Sequence, residues 1–308
     1  MKTAFLFSGQ GAQYPGMMRD LYEEEESVRE VFACADKALS RSISDLCFNG
    51  TQDDLNLTHN TQPCMLAADL AAGAVLRAKG IEPDVAAGFS LGEYAALVFS
   101  GALEMSEAFK IVQLRADAMQ DAVAPGDGAM AAIIGTTSEK VEEICAKVTD
   151  DYVTPANYNS PVQTVISGTA AGVEKAILLA ETEGLHAVRL EVSAPFHCDL
   201  MKPAAEALRQ RFVSVSFANA GIPVYVNVDG HAYQNAADFP ELLVKQAKNP
   251  VRWTDTLNAM QQDGIDTFIE CGPGKTLSGL VKKTLKGVTI LRVENIKTFT
   301  ETCDYMLR

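Results

Sequence analysis

Gly88-Phe89-Ser90-Leu91-Gly92 places a serine between glycines two residues away on either side. Val85 to Phe89 reads as a short buried strand and Leu91 to Phe99 as a helix, with Gly101 near its C-terminal end. A strand-to-helix turn this sharp needs small residues two before and two after the serine. The hydroxyl then stands exposed at a helix N-terminus, where outward N–H groups and the helix dipole favour developing negative charge. The chemistry this suits is nucleophilic attack on an acyl carbon, giving a covalent serine ester. The plainer alternative is a glycine-rich turn carrying a surface serine.

A serine hydroxyl needs a base. Four histidines compete: His59, His186, His197 and His231. His59 lies in a polar Thr-His-Asn-Thr loop, His186 near a helix end beside Gly184, and His231 in an Asp-Gly-His turn. These read as structural or solvated. His197 follows Pro195-Phe196 at an expected return between domains, where it can face a cleft; spacing favours it without excluding the others. The turn Ser8-Gly9-Gln10-Gly11-Ala12-Gln13 closes the first strand, and its glycines let backbone approach a ligand. A backbone N–H near Gln10 could serve an oxyanion, with a simple tight turn as the alternative.

The elements around these residues alternate. Thr3 to Phe7 reads as a strand, and Asp20 to Leu39 and Thr61 to Lys79 as helices, the latter closed by Gly80. Ser106 to Ala122 is a further helix, ended by Ala124-Pro125-Gly126. Such alternation predicts an α/β architecture with a mainly parallel sheet. The middle differs. Ala129 to Ile134, Ser138 to Val148, Tyr152 to Asn157, Gln163 to Ser167, Gly172 to Glu183 and Ala187 to Val192 run β-α-β-β-α-β, the ferredoxin-like pattern. The two central strands are joined through Asn159-Ser160-Pro161. Pro125-Gly126-Asp127-Gly128 and Ser193-Ala194-Pro195 are hinge-like. The expected organisation is a large, α/β-hydrolase-like catalytic domain over 1–125 and 195–308, with a small ferredoxin-like domain inserted at 126–194. Beyond it, Leu200 to Phe212 is a helix and Val224 to Val228 a strand. Pro240 to Lys248 and Trp253 to Asp263 are helices, Thr267 to Glu270 a strand, and Lys275 to Leu285 a helix.

The 308 residues are 47% hydrophobic and 21% charged, an ordinary globular composition. The apolar run at the start is too short for a signal peptide, and Asp69 and Arg77 interrupt Leu66 to Ala78, so a cytoplasmic protein is expected. Seven cysteines, an odd number with no Cys-x-x-Cys, suit free thiols better than disulfides or zinc. A formal charge of -14 disfavours nucleic acid and membrane surfaces as partners.

Several motifs in order resemble the malonyl-CoA:acyl carrier protein transacylases. They are Phe7-Ser8-Gly9-Gln10-Gly11-Ala12-Gln13, Gly88-Phe89-Ser90-Leu91-Gly92-Glu93-Tyr94, Arg115 in Gln-Leu-Arg-Ala-Asp-Ala-Met, and Gly128-Ala129-Met130-Ala131-Ala132-Ile133-Ile134-Gly135. Asn157-Tyr158-Asn159-Ser160-Pro161, Phe196-His197-Cys198-Asp199-Leu200-Met201, Asn249-Pro250-Val251-Arg252-Trp253 and Glu270-Cys271-Gly272-Pro273-Gly274 complete the set. The match runs from about residue 3 to residue 295 and agrees with that family's two-domain fold.

The resemblance implies Ser90 as acylated nucleophile and His197 as its base. Gln10 and Leu91 then supply oxyanion N–H groups. Arg115 binds the substrate carboxylate, Gln246 orients the histidine through its main chain, and Asn157 and Phe196 border the substrate. A guanidinium clamps a carboxylate through two parallel hydrogen bonds, which lysine cannot copy. A ring at Phe196 would narrow the space beside the malonyl methylene, favouring malonyl over methylmalonyl by roughly 1–3 kcal/mol. The implied reaction is ping-pong transfer from malonyl-CoA to the phosphopantetheine thiol of acyl carrier protein, with no metal or redox cofactor and a monomer expected. Fatty-acid synthesis is the expected pathway, polyketide synthesis the alternative. A serine thioesterase or hydrolase and a non-catalytic docking module are the rivals. An acidic carrier protein calls for a local basic face, with Lys202, Arg209, Lys275, Lys282, Lys283 and Lys286 as candidates. One departure stands out: the family usually has histidine before the nucleophile, and here it is Phe89, so a polar contact beside the site is lost.

Overall fold

The computed structural model describes residues 1–192 and 194–308. Ser193, part of the expected second hinge, lies outside them. Among the described residues ten strands form two sheets: β1 (Thr3–Phe7), β2 (Val85–Gly88), β3 (Gly128–Ile134), β4 (Val153–Ser160), β5 (Gln163–Thr169), β6 (His186–Arg189), β7 (Val224–Tyr225), β8 (Ala232–Tyr233), β9 (Thr267–Cys271) and β10 (Thr289–Val293).

The larger sheet has the order β10-β9-β1-β2-β7-β8. All its pairings are parallel except the edge pair of β7 with β8. β1 is buried at every residue because helices cover both faces. Its alternate side chains divide between them: Phe5 and Phe7 join the core under the helices Thr58–Ala78 and Met105–Asp121, while Ala4 and Leu6 pack with Trp253, Leu257 and Val281. The helix Thr58–Ala78 is buried nearly all round, which explains its alanine-rich composition.

The smaller sheet is antiparallel, β4-β5-β3-β6, the order of a ferredoxin-like βαββαβ unit. Ala129, Ala131 and Ile133 of β3 face its own helices, Ser138–Ala146 and Ala170–Thr182, and Met130 and Ala132 face the larger sheet's core. This two-faced strand lets the small unit roof the site.

The structure corrects several expected boundaries. The run Asp20 to Leu39 breaks at Glu25, which is extended (φ -112°, ψ 124°) between the helices Arg19–Glu24 and Glu26–Leu39. Asn159 and Ser160 belong to β4 rather than to a connecting turn, because bulges near Asn157 and Ser160 carry the strand further. β7 stops at Tyr225, since Val226 turns back to accept from Gly230 N–H and to donate to His231 O. β6 ends at Arg189, short of Val192. The short helices Ile43–Asn49 and Gln52–Asn56, β8, β10 and the C-terminal helix Ile296–Met306 were not anticipated. All seven cysteines are free. Among the described residues no helix is long and apolar enough to cross a membrane.

Candidate active site

A cleft of about 550 Å³ opens between the two sheets, at the C-terminal ends of β1 and β2. Ser90 lies at its base. The backbone leaves β2 with Phe89 N–H donating to Phe7 O at 2.9 Å, and Ser90 takes a left-handed φ of 52°. Both flanking glycines are required by close approach. A methyl group at Gly88 would lie 1.8 Å from the Gly92 carbonyl carbon, and one at Gly92 would lie 2.2 Å from Phe7 O. The spacing that marked the serine is therefore a steric consequence of the turn.

His197 Nε2 is 2.6 Å from Ser90 Oγ. Its Nδ1 is 2.9 Å from the main-chain oxygen of Gln246. A carbonyl only accepts, so Nδ1 carries the proton and Nε2 presents a lone pair to the serine hydroxyl. His197 is buried, and burial, reinforced by the Arg115 charge, lowers its pKa to about 4. The ring is neutral at neutral pH and able to accept a proton. The other three histidines are elsewhere: His59 starts the helix Thr58–Ala78, His186 is exposed on β6, and His231 is exposed in a turn.

Arg115 projects from the helix Met105–Asp121 and is 1% exposed. Its Nη2 donates to Ser90 Oγ at 3.0 Å and to Gln246 Oε1 at 3.1 Å, and its Nη1 donates to Gln62 Oε1 at 2.7 Å. The guanidinium also lies 5.5 Å from the Tyr94 ring centroid. All these acceptors are neutral, and Nε has no partner among the described residues. A buried cation met only by neutral groups favours an anionic ligand beside the serine.

Gln10 lines the cleft, and neither its main-chain N–H nor that of Leu91 finds an acceptor among the described residues. Leu91 stands at the N-terminus of the helix Gly92–Phe99, so its free N–H faces outward. Asn157, on β4, and Phe196 line the same cleft and are buried. Every expected site residue therefore meets at one place. Reading by sequence missed Gln62, Glu93 and Asn227, all buried polar residues around this centre. The signal for Asn227 was a lone amide in the apolar run Tyr225-Val226-Asn227-Val228.

A serine at a strand-to-helix elbow, touching a neutral histidine and a buried guanidinium, defines a serine-nucleophile acyltransferase or hydrolase site. Comparison with known proteins narrows this. The model of the acyl transferase domain family matches residues 4–301. A malonyl CoA-acyl carrier protein transacylase of Bacillus subtilis is 44% identical over 96% of this chain and 95% of its own. One from Escherichia coli K12 is 39% identical over 93% and 94%. Among solved structures, the malonyl CoA-acyl carrier protein transacylase of Coxiella burnetii superposes with a TM-score of 0.97 at 40% identity, covering 100% of this chain and 98% of that one. A malonyl-transacylase in complex with its type II PKS acyl-carrier protein gives 0.96 at 38% identity, over 99% and 100%. The chain belongs to the acyl transferase domain family, among the malonyl CoA-acyl carrier protein transacylases.

Proposed function

We propose that the protein moves the malonyl group of malonyl-CoA to the phosphopantetheine thiol of an acyl carrier protein through an ester on Ser90. The observation that carries this reading is the Arg115 guanidinium, buried without an anionic partner and 3.0 Å from Ser90 Oγ. The malonyl carboxylate supplies the missing charge, and its far end then presents the thioester carbon to the serine.

In the first half-reaction the Ser90 hydroxyl gives its proton to His197 Nε2 as the Oγ–C bond forms. The carbonyl oxygen becomes an oxyanion held by the N–H groups of Leu91 and Gln10. Collapse breaks the C–S bond, and His197 returns the proton to the departing CoA thiolate. The second half-reaction reverses these steps, with the carrier thiol as nucleophile. Gln246 holds the histidine tautomer through its carbonyl, and Asn157 and Phe196 border the acyl group. The nucleophile, base and anion partner all come from the chain, and no step calls on a cofactor. The proposed division is a catalytic unit of 1–125 and 195–308, with 126–194 inserted as its roof. The carrier proposed is that of fatty-acid synthesis, and comparing fatty-acid and polyketide carriers as acceptors tests the pathway.

The test is intact-protein mass spectrometry after brief exposure to malonyl-CoA. A malonyl adduct is expected on the wild type and absent from Ser90→Ala; an adduct that persists in Ser90→Ala overturns the reading. Arg115→Ala is expected to lose about 3 kcal/mol of malonyl transfer, near 150-fold in kcat/KM, while accepting uncharged short acyl groups. An unchanged malonyl preference refutes the clamp.

On the carrier side, Lys202 pairs with Asp199 and Arg209 with Glu241, which weakens both as a docking face. Lys282 and Lys283 lie in the last turn of the helix Thr276–Thr284 and Lys275 and Lys286 flank it; Thr276, Leu277 and Leu280 of that helix line the cleft. Reversing Lys282 and Lys283 is expected to raise the KM for carrier protein and leave malonyl-CoA loading intact. Equal loss in both half-reactions removes this assignment.

A further inference from the structure

Asn227 follows β7, and its side chain spans the elbow. Nδ2 donates to Gly88 O at 2.7 Å, and Oδ1 accepts the Ser90 N–H at 2.6 Å. One planar amide thus ties together the serine and the residue two before it. Asn227 is fully buried, its own N–H donates to Glu93 Oε2 at 2.8 Å, and its carbonyl accepts from Arg252 N–H at 2.8 Å. On the other side, Gln246 Nε2 donates to Ser90 O at 2.7 Å. Both main-chain polar groups of Ser90 are therefore held by side-chain amides more than a hundred residues away.

Two consequences follow. The Ser90 N–H is occupied and cannot serve the oxyanion, which leaves that task to Leu91 and Gln10. The left-handed φ of 52°, unfavourable for a residue with a side chain, is held by contacts that only a group with both a donor and an acceptor makes. We infer that Asn227 is a positioning residue for acylation: its amide fixes the turn that aims Ser90 Oγ at His197 Nε2, and Glu93 anchors Asn227 to the helix that follows the serine. This inference rests on the reading of Ser90 as the acylated nucleophile.

The charged and titratable groups facing this knot are Glu93 and Tyr94 from the following helix, Arg115, His197, and Asp229 from the reversal after β7, while the Arg252 guanidinium is exposed and pairs with Asp255. A leucine at 227 keeps the shape and removes both hydrogen bonds. An aspartate keeps the acceptor and supplies the donor only when protonated. Acylation rates by rapid quench and mass spectrometry, with the KM for malonyl-CoA, are measured for wild type, Asn227→Leu and Asn227→Asp at pH 5.5 and 9. Asn227→Leu is expected to acylate about 100-fold more slowly with KM within about threefold, the cost of a displaced nucleophile. The ratio of Asn227→Asp to wild type is expected to rise more than threefold from pH 9 to 5.5.

An Asn227→Leu rate within threefold of wild type, or a loss confined to KM, overturns the inference. If the leucine variant does not fold, a flat Asn227→Asp ratio overturns it instead. Wild type that takes no label at Ser90 overturns the nucleophile reading itself, a result distinct from a labelled wild type with unaffected variants.

Discussion

Ser90 and His197 share an unusual backbone: both are non-glycine residues in the left-handed region, at φ 52° and 59°. Such conformations cost on the order of 1–3 kcal/mol each and persist only where surroundings over-determine them. The two are held differently. Ser90 sits on the elbow just beyond the parallel strand β2, fixed by Phe7 O through Phe89, by Asn227 and Gln246 at its own main chain, and by two glycines with no room for a methyl group. His197 lies on the return from the small unit. Its segment is held by Phe196 N–H to Ala194 O, by Cys198 Sγ to Pro195 O at 3.1 Å, and by Asp199 N–H to Tyr152 Oη at 3.0 Å. Ser90 is braced at the end of one sheet, and His197 hangs between two. The 2.6 Å contact between them therefore reports how the small unit sits on the large one.

Two glycine substitutions break this comparison most sharply. Gly92→Ala drives a methyl group against Phe7 O at 2.2 Å and Ser8 O at 2.7 Å, both main-chain atoms at the end of the central strand. Acylation is expected to vanish and stability to fall by on the order of 3 kcal/mol in urea denaturation. Gly128→Ala acts on the other partner. Its methyl group would meet the Pro195 ring at 2.4 Å, two residues before His197. Here kcat is expected to drop about tenfold with a stability loss near 1 kcal/mol. Equal stability losses would mean that the return segment is as tightly built as the elbow.

Titration separates the two regions next. The pKa of His197 is lowered to about 4, below its ordinary 6.5. Its contribution to stability is thus present above pH 6.5 and lost as pH falls towards 4, because the unfolded chain takes up the proton first; the full loss is on the order of 3 kcal/mol. The acid limb of kcat/KM for acylation is expected near pH 4, not near 6.5. Glu93, behind the elbow, runs the other way: burial raises its pKa from 4.5 to about 8. Its neutral form is favoured by folding, so stability declines as pH rises from 4.5 towards 8. Glu93→Gln is expected to flatten that decline in urea titrations across the range. An acid limb for acylation at pH 6 or above would show that His197 is far better solvated than its burial indicates.

These contrasts explain what the sequence made legible. The elbow is local: five consecutive residues encode its glycines and its serine, and β1, β2 and the ferredoxin-like order follow from short-range pattern. Motif resemblance found Arg115 and Gln246, but their meeting at Ser90 joins helices 131 residues apart, and no periodicity encodes that. Asn227 was hidden because its function lies in two hydrogen bonds 137 and 139 residues back along the chain. β10 escaped notice because it is only half-buried and shows little alternation.

Phe89 gives the smallest and most discriminating test of the elbow's independence. Its ring packs edge-on against Trp253 at 5.3 Å, and the buried Trp253 Nε1 has no acceptor among the described residues. The polar contact expected to be lost at this position thus coincides with an orphaned indole N–H. Phe89→His restores a possible acceptor and gives up part of an aromatic pair worth about 0.5–1.5 kcal/mol, so a net stability change under about 1 kcal/mol is expected by thermal melting. Malonyl loading is expected within about threefold of wild type. The Phe89 main chain, which sets the turn through Phe7, is untouched, and the ring takes no part in the contact between Ser90 and His197. A tenfold change in loading would mean that the side chain before the nucleophile reaches the acyl group, and that the elbow's geometry is not set by its backbone and its two clamping amides alone.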